Sequence, residues 1–356
     1  MAAELPGLDD PAVQASLTAH LRAHLSDEVV IDGVRRTDGG FSSETWFLDL
    51  RLDGRPECLV LRRQAVVGPL EPYDLGREVG VIQALRDSRV PVPEIRLYCD
   101  DGEVIGAPFV LMERIEGTIP DYRNLPELPA WSDPPVRSAM GREVVRTLAA
   151  IQAADWRGDP RLRSLLPAGT GPDTPPVLAR VKAILAKLEL QVGRRRVLPV
   201  LTETAAWLVD HAPHGAEDWV LVHGDYRVGN FIWRETEIVG VLDWEGAGIG
   251  DPMEDLGYAC HPIMRARAPE LMAMLVPFDE LSRIYEREFG RSLDLLRLHY
   301  YVIYALYFHL HTFVTGMVAA VNGADMRVGL GYSKLYRVGA ELIRQMQAFE
   351  EGRHVL

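Results

Sequence analysis

An α+β fold is predicted for this chain, with strands gathered toward the amino terminus and helices dominating the remainder. Three observations carry the prediction. Apolar and polar residues alternate through Thr45 to Leu52 and Glu57 to Arg62, the period of half-buried strands. Beyond Gly117 the apolar residues recur at helical spacing over several long segments. One exception, Trp219 to Glu245, holds two short apolar runs around a polar loop, a common way to fix reactive groups on a rigid frame.

In chain order, a helix is expected around Ser16 to Leu25, then the two strands just named, joined at Asp53-Gly54 as an antiparallel hairpin. A helical pattern follows from Leu75 to Leu85, and Pro91 and Pro93 break it. Ile95 to Tyr98 and Phe109 to Glu113 read as further short strands. A stretch bearing Pro120, Pro126, Pro129, Pro134 and Pro135 reads as a loop over a cleft and leads into a helix from Val136 to Ala154. A Gly- and Pro-rich loop, Pro167 to Pro176, precedes helices at Val177 to Leu190 and Val200 to His211. The two apolar runs around the polar loop are Trp219 to Val222 and Ile238 to Leu242.

The 356 residues admit two structural units or one large domain, and 47% apolar with 25% charged residues fits a packed globular chain. A formal net charge of -13 argues against a nonspecific nucleic-acid binder, which grips phosphates through clustered Lys and Arg. Cys58, Cys99 and Cys260 lie far apart without metal-ligand spacing, so a reducing, cytoplasmic setting is expected. Met1 to Asp10 is acidic and shows no secretory pattern. Leu298 to Val321 is apolar, but His299, His309 and His311 interrupt it, so a buried core helix is expected and no membrane partner.

The chemistry is concentrated in Val220-Leu-Val-His-Gly-Asp-Tyr-Arg-Val-Gly-Asn-Phe-Ile and Val239-Gly-Val-Leu-Asp-Trp-Glu. Asp225 and Asn230 are spaced as in the kinase catalytic loop HRDxxxxN, and Asp243 follows where kinases place a metal-binding aspartate. Phosphoryl transfer calls for these residue types. Magnesium takes hard oxygen ligands, which Asn230 and Asp243 supply, while a separate carboxylate, Asp225, accepts the proton of the attacking hydroxyl. Arg227 places a cation two residues beyond Asp225, in reach of the transferring phosphate. Singly, each residue also fits a turn, a helix cap or a surface ion pair; their joint order points to a kinase.

These segments, together with Gly250-Asp-Pro-Met-Glu-Asp-Leu-Gly, resemble the aminoglycoside phosphotransferase family over nearly the whole chain. The resemblance implies a two-lobed, protein-kinase-like fold with a small antiparallel-sheet lobe and a larger, mainly helical lobe. It divides the chain into a nucleotide-binding lobe, 1–115, and a catalytic and substrate-binding lobe, 116–356. It also implies that Asp251 and Asp255 brace the catalytic loop without being catalytic. ATP or GTP with Mg2+ is the implied cofactor set.

Nucleotide contacts are expected in the first lobe. Asp38-Gly-Gly-Phe-Ser-Ser-Glu-Thr offers Gly39, Gly40, Ser42 and Ser43 to phosphates, although a plain hairpin turn would look the same. Arg62 and Glu78 stand where kinases pair a strand lysine with a helix glutamate. Arginine keeps the charge and adds a bidentate fork at the cost of bulk, and the neighbouring Arg63 is an alternative. Met112, Glu113 and Ile115 fall in the segment resembling the hinge that holds the adenine edge.

For the acceptor, a small hydroxyl-bearing molecule is expected. His-Gly-Asp-Tyr-Arg-x-Gly-Asn, the Tyr285-Glu-Arg-Glu-Phe-Gly helix and the Tyr300, Tyr301 and Tyr304 cluster are similar to the phosphotransferase domains associated with acyl-CoA dehydrogenases, which implies a hydroxylated acyl compound. An aminoglycoside or macrolide kinase is the alternative, since acidic patches are mixed with Arg194, Arg195, Arg196, Arg265 and Arg267. Tyr300 to His311 reads either as acceptor lining or as helix core. A catalytically inactive nucleotide-binding scaffold is the alternative from another class, supported only by the arginine at position 62. A protein kinase is disfavoured by the short interval between Asp243 and Asp251, which holds no activation segment.

Overall fold

The computed structural model describes residues 5–37, 43–65, 73–121, 125–171, 173–192, 198–213, 218–321 and 335–353. The first lobe consists of α1 (Pro11–His24), β1 (Val29–Arg36), β2 (Ser43–Leu52), β3 (Arg55–Gln64), α2 (Leu75–Leu85), β4 (Ile95–Cys99) and β5 (Phe109–Glu113). Its five strands form one antiparallel sheet in the order β1-β2-β3-β5-β4. The β2–β3 hairpin turns at Asp53 and Gly54, both at positive φ (51° and 76°), the backbone that a two-residue turn requires.

Strand alternation sorts the two faces of this sheet. Leu48, Leu50, Leu59, Leu61, Phe109 and Leu111 pack with Leu17 and Leu21 of α1. Val110 and Met112 pack on the opposite face with Leu75 and Val79 of α2. Each fully buried aliphatic side chain contributes about 2 kcal/mol to holding these layers together. The Asp74 carboxylate caps α2 by accepting from Arg77 N at 2.9 Å, which sets where the helix begins and so where Glu78 lies.

The second lobe contains α3 (Pro129–Ser132), α4 (Pro134–Gln152), α5 (Pro160–Arg163), α6 (Pro176–Val192) and α7 (Pro199–Asp210). Four short strands follow: β6 (Val220–Val222), β7 (Phe231–Arg234), β8 (Glu237–Val241) and β9 (Gly248–Gly250). The lobe closes with α8 (Glu254–Cys260), α9 (Phe278–Phe289), α10 (Leu295–Val321) and α11 (Leu335–Glu350). Its α10 is long and apolar enough by composition to cross a membrane. Here it runs through the lobe's interior, with Leu298, Tyr300, Val302, Ile303, Leu306 and Leu310 buried, as a core helix would.

Several expectations need correction. β1 is a strand the sequence reading missed. Of the two apolar runs around the polar loop, the first forms β6 and pairs with β9, and the second forms β8 and pairs with β7. The proline-bearing stretch carries a short 3-10 turn, Leu125–Glu127, and α3 in place of an uninterrupted loop. Proline at the first helical positions tolerates this, because its missing N–H has no intrahelical partner there.

Candidate active site

The polar loop leaves β6 at His223 and enters β7 at Phe231 through a 3-10 turn, Val228–Asn230. Asp255 on α8 fixes its start by accepting from His223 N (2.8 Å) and Gly224 N (2.9 Å). Facing the carbonyl of Leu242 at 2.7 Å, His223 Nε2 donates, and Nδ1 accepts from Asp225 N at 3.2 Å. These partners assign the donor role to Nε2 and the acceptor role to Nδ1. Gly224 has φ +83°, and a Cβ there would lie 2.2 Å from the carbonyl oxygen of Gly246, so the backbone approach requires glycine. Tyr226 anchors the loop to α4 by donating to Val144 O at 2.6 Å.

The Asp225 carboxylate is held by two donors of its own loop. Asn230 Nδ2 donates to Oδ2 at 2.7 Å, and Arg227 Nε reaches both oxygens at 3.1 and 3.2 Å. Burial acts to raise the pKa of Asp225, but the charge of Arg227, with the neighbouring Tyr258 and Asn230 side chains, outweighs it, and the net direction is down. The group is therefore an ionised carboxylate, with 26% of its side chain still exposed.

Asn230 and Asp243 suit a hard cation. The Oδ1 atom of Asn230 is buried with no hydrogen-bond partner, while its Nδ2 is committed to Asp225. A buried carbonyl oxygen left unpaired is costly, so this atom suits a cation or water that would complete it. Asp243 sits at φ 61°, ψ 57°, a left-handed conformation uncommon outside glycine, with 41% of its side chain exposed. The bond from Leu242 N to Asn230 O (2.9 Å) ties the two segments together. Among the described residues no cluster of three or more His, Cys, Asp or Glu side chains forms a metal site. One amide and one carboxylate oxygen fit magnesium, which keeps several positions for phosphate oxygens and water.

From the other lobe, Arg62 of β3 reaches the same place. Its guanidinium is paired with Glu78 of α2, lies 3.2 Å from Asp243 Oδ1, and donates through Nε to Ser43 Oγ at 3.1 Å. Burial pushes the Glu78 carboxyl upward while Arg62 opposes it; Arg62 itself stays a cation because Glu78 and Asp243 overcome its own burial. Arg77, next to Glu78, donates to Ala247 O at 2.6 Å and docks α2 on the segment after Asp243. Arg63 points the other way. Fully buried on the α1 face, it donates to Glu44 (2.9 Å) and to the carbonyls of Pro6 and Ile105 (2.9 Å each), so it is no substitute for Arg62. Of the proposed phosphate-contacting residues, Gly39, Gly40 and Ser42 lie outside the described residues; Ser43 is at the head of β2 beside Arg62.

The segment after β5 joins the lobes. Met112 is buried on the α2 face, and Glu113 N–H donates to Glu94 O at 2.9 Å. Ile115 packs against Gly240 of β8, where an added Cβ would lie 3.0 Å from Ile115 Cδ1. Thr118 then pairs with Trp233 through two backbone bonds of 2.8 Å.

The aromatic cluster of α10 is mostly core. Tyr300 donates to Leu208 O at 2.8 Å, and Tyr304 lies 5.9 Å beneath the guanidinium of Arg180. Arg265 is buried and donates to Cys260 O at 2.8 Å, Arg267 pairs with Glu127 at 3.0 Å, and Arg194, Arg195 and Arg196 lie outside the described residues. Asp251 pairs with Arg297 and accepts from Met253 N (2.8 Å), so it braces α8 and not the loop directly. Sequence reasoning missed Tyr258. Its signal was available: it stands three residues after Asp255 and so on the same helical face as the loop brace.

Comparison with known proteins agrees with this geometry. The family model described as "Phosphotransferase enzyme family" (APH) matches residues 33–289. Acyl-CoA dehydrogenase family member 11 of Gallus gallus is 34% identical over 230 residues, 64% of this chain and 27% of that protein. The chain thus spans under a third of the length of such relatives. A Ralstonia eutropha structure described as an aminoglycoside phosphotransferase superposes with a TM-score of 0.67 at 23% identity, covering 94% of this chain and 98% of that one. Aminoglycoside phosphotransferase APH(4)-Ia, solved with ADP and hygromycin B, superposes with a TM-score of 0.59 at 17% identity, again over 94% and 98%. Both structures share the two-lobed, kinase-like fold.

Proposed function

Because this chain belongs to the APH phosphotransferase enzyme family, we propose that it is a small-molecule kinase that moves the γ-phosphoryl group of ATP or GTP onto an acceptor hydroxyl. The observation that carries this reading is the convergence of Asp225, Asn230, Asp243 and the Arg62–Glu78 pair from both lobes on one place. Asn230 Oδ1 and the Asp243 carboxylate would hold magnesium, which when bound offsets the charge of the β- and γ-phosphates. Arg62, oriented by Glu78, meets phosphate oxygens with its guanidinium. Ser43, beside Arg62, lies within the phosphate-facing segment, with Gly39, Gly40 and Ser42 preceding it. Met112, the carbonyl of Glu113 and the N–H of Ile115 receive the base. This assigns 1–115 to nucleotide binding and 116–356 to catalysis and acceptor binding.

Asp225 accepts the hydrogen bond of the acceptor hydroxyl and takes its proton as the new P–O bond forms. Arg227, already folded against Asp225, neutralises charge on the transferring group. A hydroxyacyl compound is the acceptor we favour, supported by the similarity to acyl-CoA dehydrogenase family member 11. An aminoglycoside acceptor is the second reading, supported by the hygromycin B complex of APH(4)-Ia. We place the reaction in the cytoplasm, which the three free thiols suit.

A panel of hydroxyacyl-CoA, aminoglycoside and macrolide compounds tests the proposal through magnesium-dependent nucleotide consumption and mass spectrometry of the acceptor. Phosphorylated acceptor from one class identifies the substrate. Nucleotide binding with no turnover under any condition would favour an inactive scaffold.

A further inference from the structure

Arg62 commits each of its three guanidinium nitrogens to a different segment of the chain. Nε donates to Ser43 Oγ of β2 at 3.1 Å, Nη1 pairs with Glu78 of α2, and Nη2 reaches Asp243 Oδ1 at 3.2 Å. The first two partners belong to the same lobe as β3. The third lies across the cleft and is the carboxylate that suits magnesium. An ammonium has one nitrogen to divide among such partners, whereas the guanidinium fork lets one nitrogen change partner while two stay.

The two carboxylates are not equally placed. Glu78 keeps 5% of its side chain exposed and Asp243 keeps 41%. Water screens the more exposed pair and competes for its donor, so the contact with Asp243 is the one that yields. Asp243 itself is fixed from behind. Leu242 N donates to Asn230 O at 2.9 Å, the Leu242 carbonyl accepts from His223 Nε2 at 2.7 Å, and the Trp244 indole donates to Val241 O at 3.0 Å. Movement therefore falls to Nη2, with Ser43 and Glu78 keeping the rest of the guanidinium seated.

A divalent cation at Asp243 meets two obstacles in Arg62. One carboxylate oxygen already accepts from Nη2, and that nitrogen carries part of a positive charge only 3.2 Å away. Phosphate oxygens remove both, since they offer Nη2 a more densely charged acceptor and offset the added positive charge. We propose that Arg62 gates metal entry: its Nη2 competes with a divalent cation for the Asp243 carboxylate, and the phosphates of the nucleotide release it. The inference rests on the reading of Asp243 as a metal ligand. It makes metal binding wait on nucleotide, and by linkage the two ligands strengthen one another.

Manganese(II), titrated into the protein without nucleotide and followed by loss of the free ion's electron paramagnetic resonance signal, tests the gate without turnover. Arg62→Gln is expected to bind manganese roughly ten- to a hundredfold more tightly than wild type, the worth of a hydrogen bond to a charged group. Glu78→Gln is expected to weaken manganese binding, because it removes the carboxylate that shares the guanidinium with Asp243. Equal affinity in wild type and Arg62→Gln overturns the inference, and so does a gain in both variants, which marks a loosened site. Where Arg62→Gln does not fold, Arg62→Lys carries the test: affinity severalfold above wild type is expected, and an unchanged one counts against the gate. Asp243→Asn added to Arg62→Gln separates the two readings. If the double variant binds manganese as tightly as Arg62→Gln, Asp243 is no metal ligand and the reading beneath the gate fails first. A crystal structure with manganese and a non-hydrolysable ATP analogue is the second readout. Nη2 of Arg62 on a phosphate oxygen with the metal on Asp243 is expected; Nη2 still on Asp243 beside the bound metal contradicts the release.

Discussion

Asp225 and Asp243 sit in one cleft but are secured in different ways. Asp225 is held by partners from its own lobe: Asn230 and Arg227 a few residues away, and α8 behind them. Asp243 is reached across the cleft by Arg62, which is in turn paired with Glu78 on a third element. Local hydrogen bonds make the loop half rigid whatever the lobes do. The Arg62 half depends on how the lobes sit against one another, and Arg77 on Ala247 O reinforces that docking. Substitutions in the first half should thus act on chemistry, and those in the second on nucleotide affinity and lobe docking.

The largest expected effect is at Asn230. Asn230→Ala removes both the oxygen offered to magnesium and the donor to Asp225, and turnover should fall by about a thousandfold, read in single-turnover assays across a magnesium titration. A loss fully rescued by excess magnesium would show that the bond to Asp225 contributes little. Next comes the contrast between two adjacent arginines. Arg63→Met breaks a buried pair with Glu44 and should cost about 3 kcal/mol in chemical denaturation, while the folded protein binds ATP normally. A weakened ATP Kd without loss of stability would move the phosphate contact from Arg62 to Arg63.

A milder change sharpens the loop half. At Gly229 an added Cβ would lie 2.5 Å from Arg227 Nη1, the mobile end of a side chain that can shift aside. Gly229→Ala should therefore displace the guanidinium and lower turnover roughly tenfold with ATP KM unchanged. Smallest of all is Arg62→Lys, which keeps the charge facing Glu78 and Asp243. Its ATP KM should stay within about tenfold of wild type, since only the guanidinium fork is lost. A complete loss of binding would mean that the fork itself, with its contact to Ser43, is indispensable.

The same contrast explains what could be read from the chain before folding. Asp225, Asn230 and Asp243 were legible because their spacing is local and their residue types are dictated by charge and metal chemistry. The alternation in β2 and β3 was legible for the same reason: each strand buries one face against leucine-rich neighbours. β1 escaped because its pairing shifts register between Ile31 and Gly33 and Val30 is exposed, so no clean alternation survives. β9 escaped because Gly248-Ile-Gly250 carries one side chain and hence no pattern. The choice between Arg62 and Arg63 could not be made from composition, since one step along a strand reverses the face. Nor could the meeting of Arg62 with Asp243, which depends on how two lobes dock.

The central claim is that Asp225 acts on the acceptor's proton and not on the nucleotide. Parallel measurement of phosphoryl transfer and ATP affinity in Asp225→Asn tests it most directly. Turnover lowered by at least about a hundredfold, with the ATP Kd within a few-fold of wild type, is the predicted result. Turnover preserved, or ATP affinity lost together with turnover, would contradict it and leave Asp225 as a structural residue of the loop.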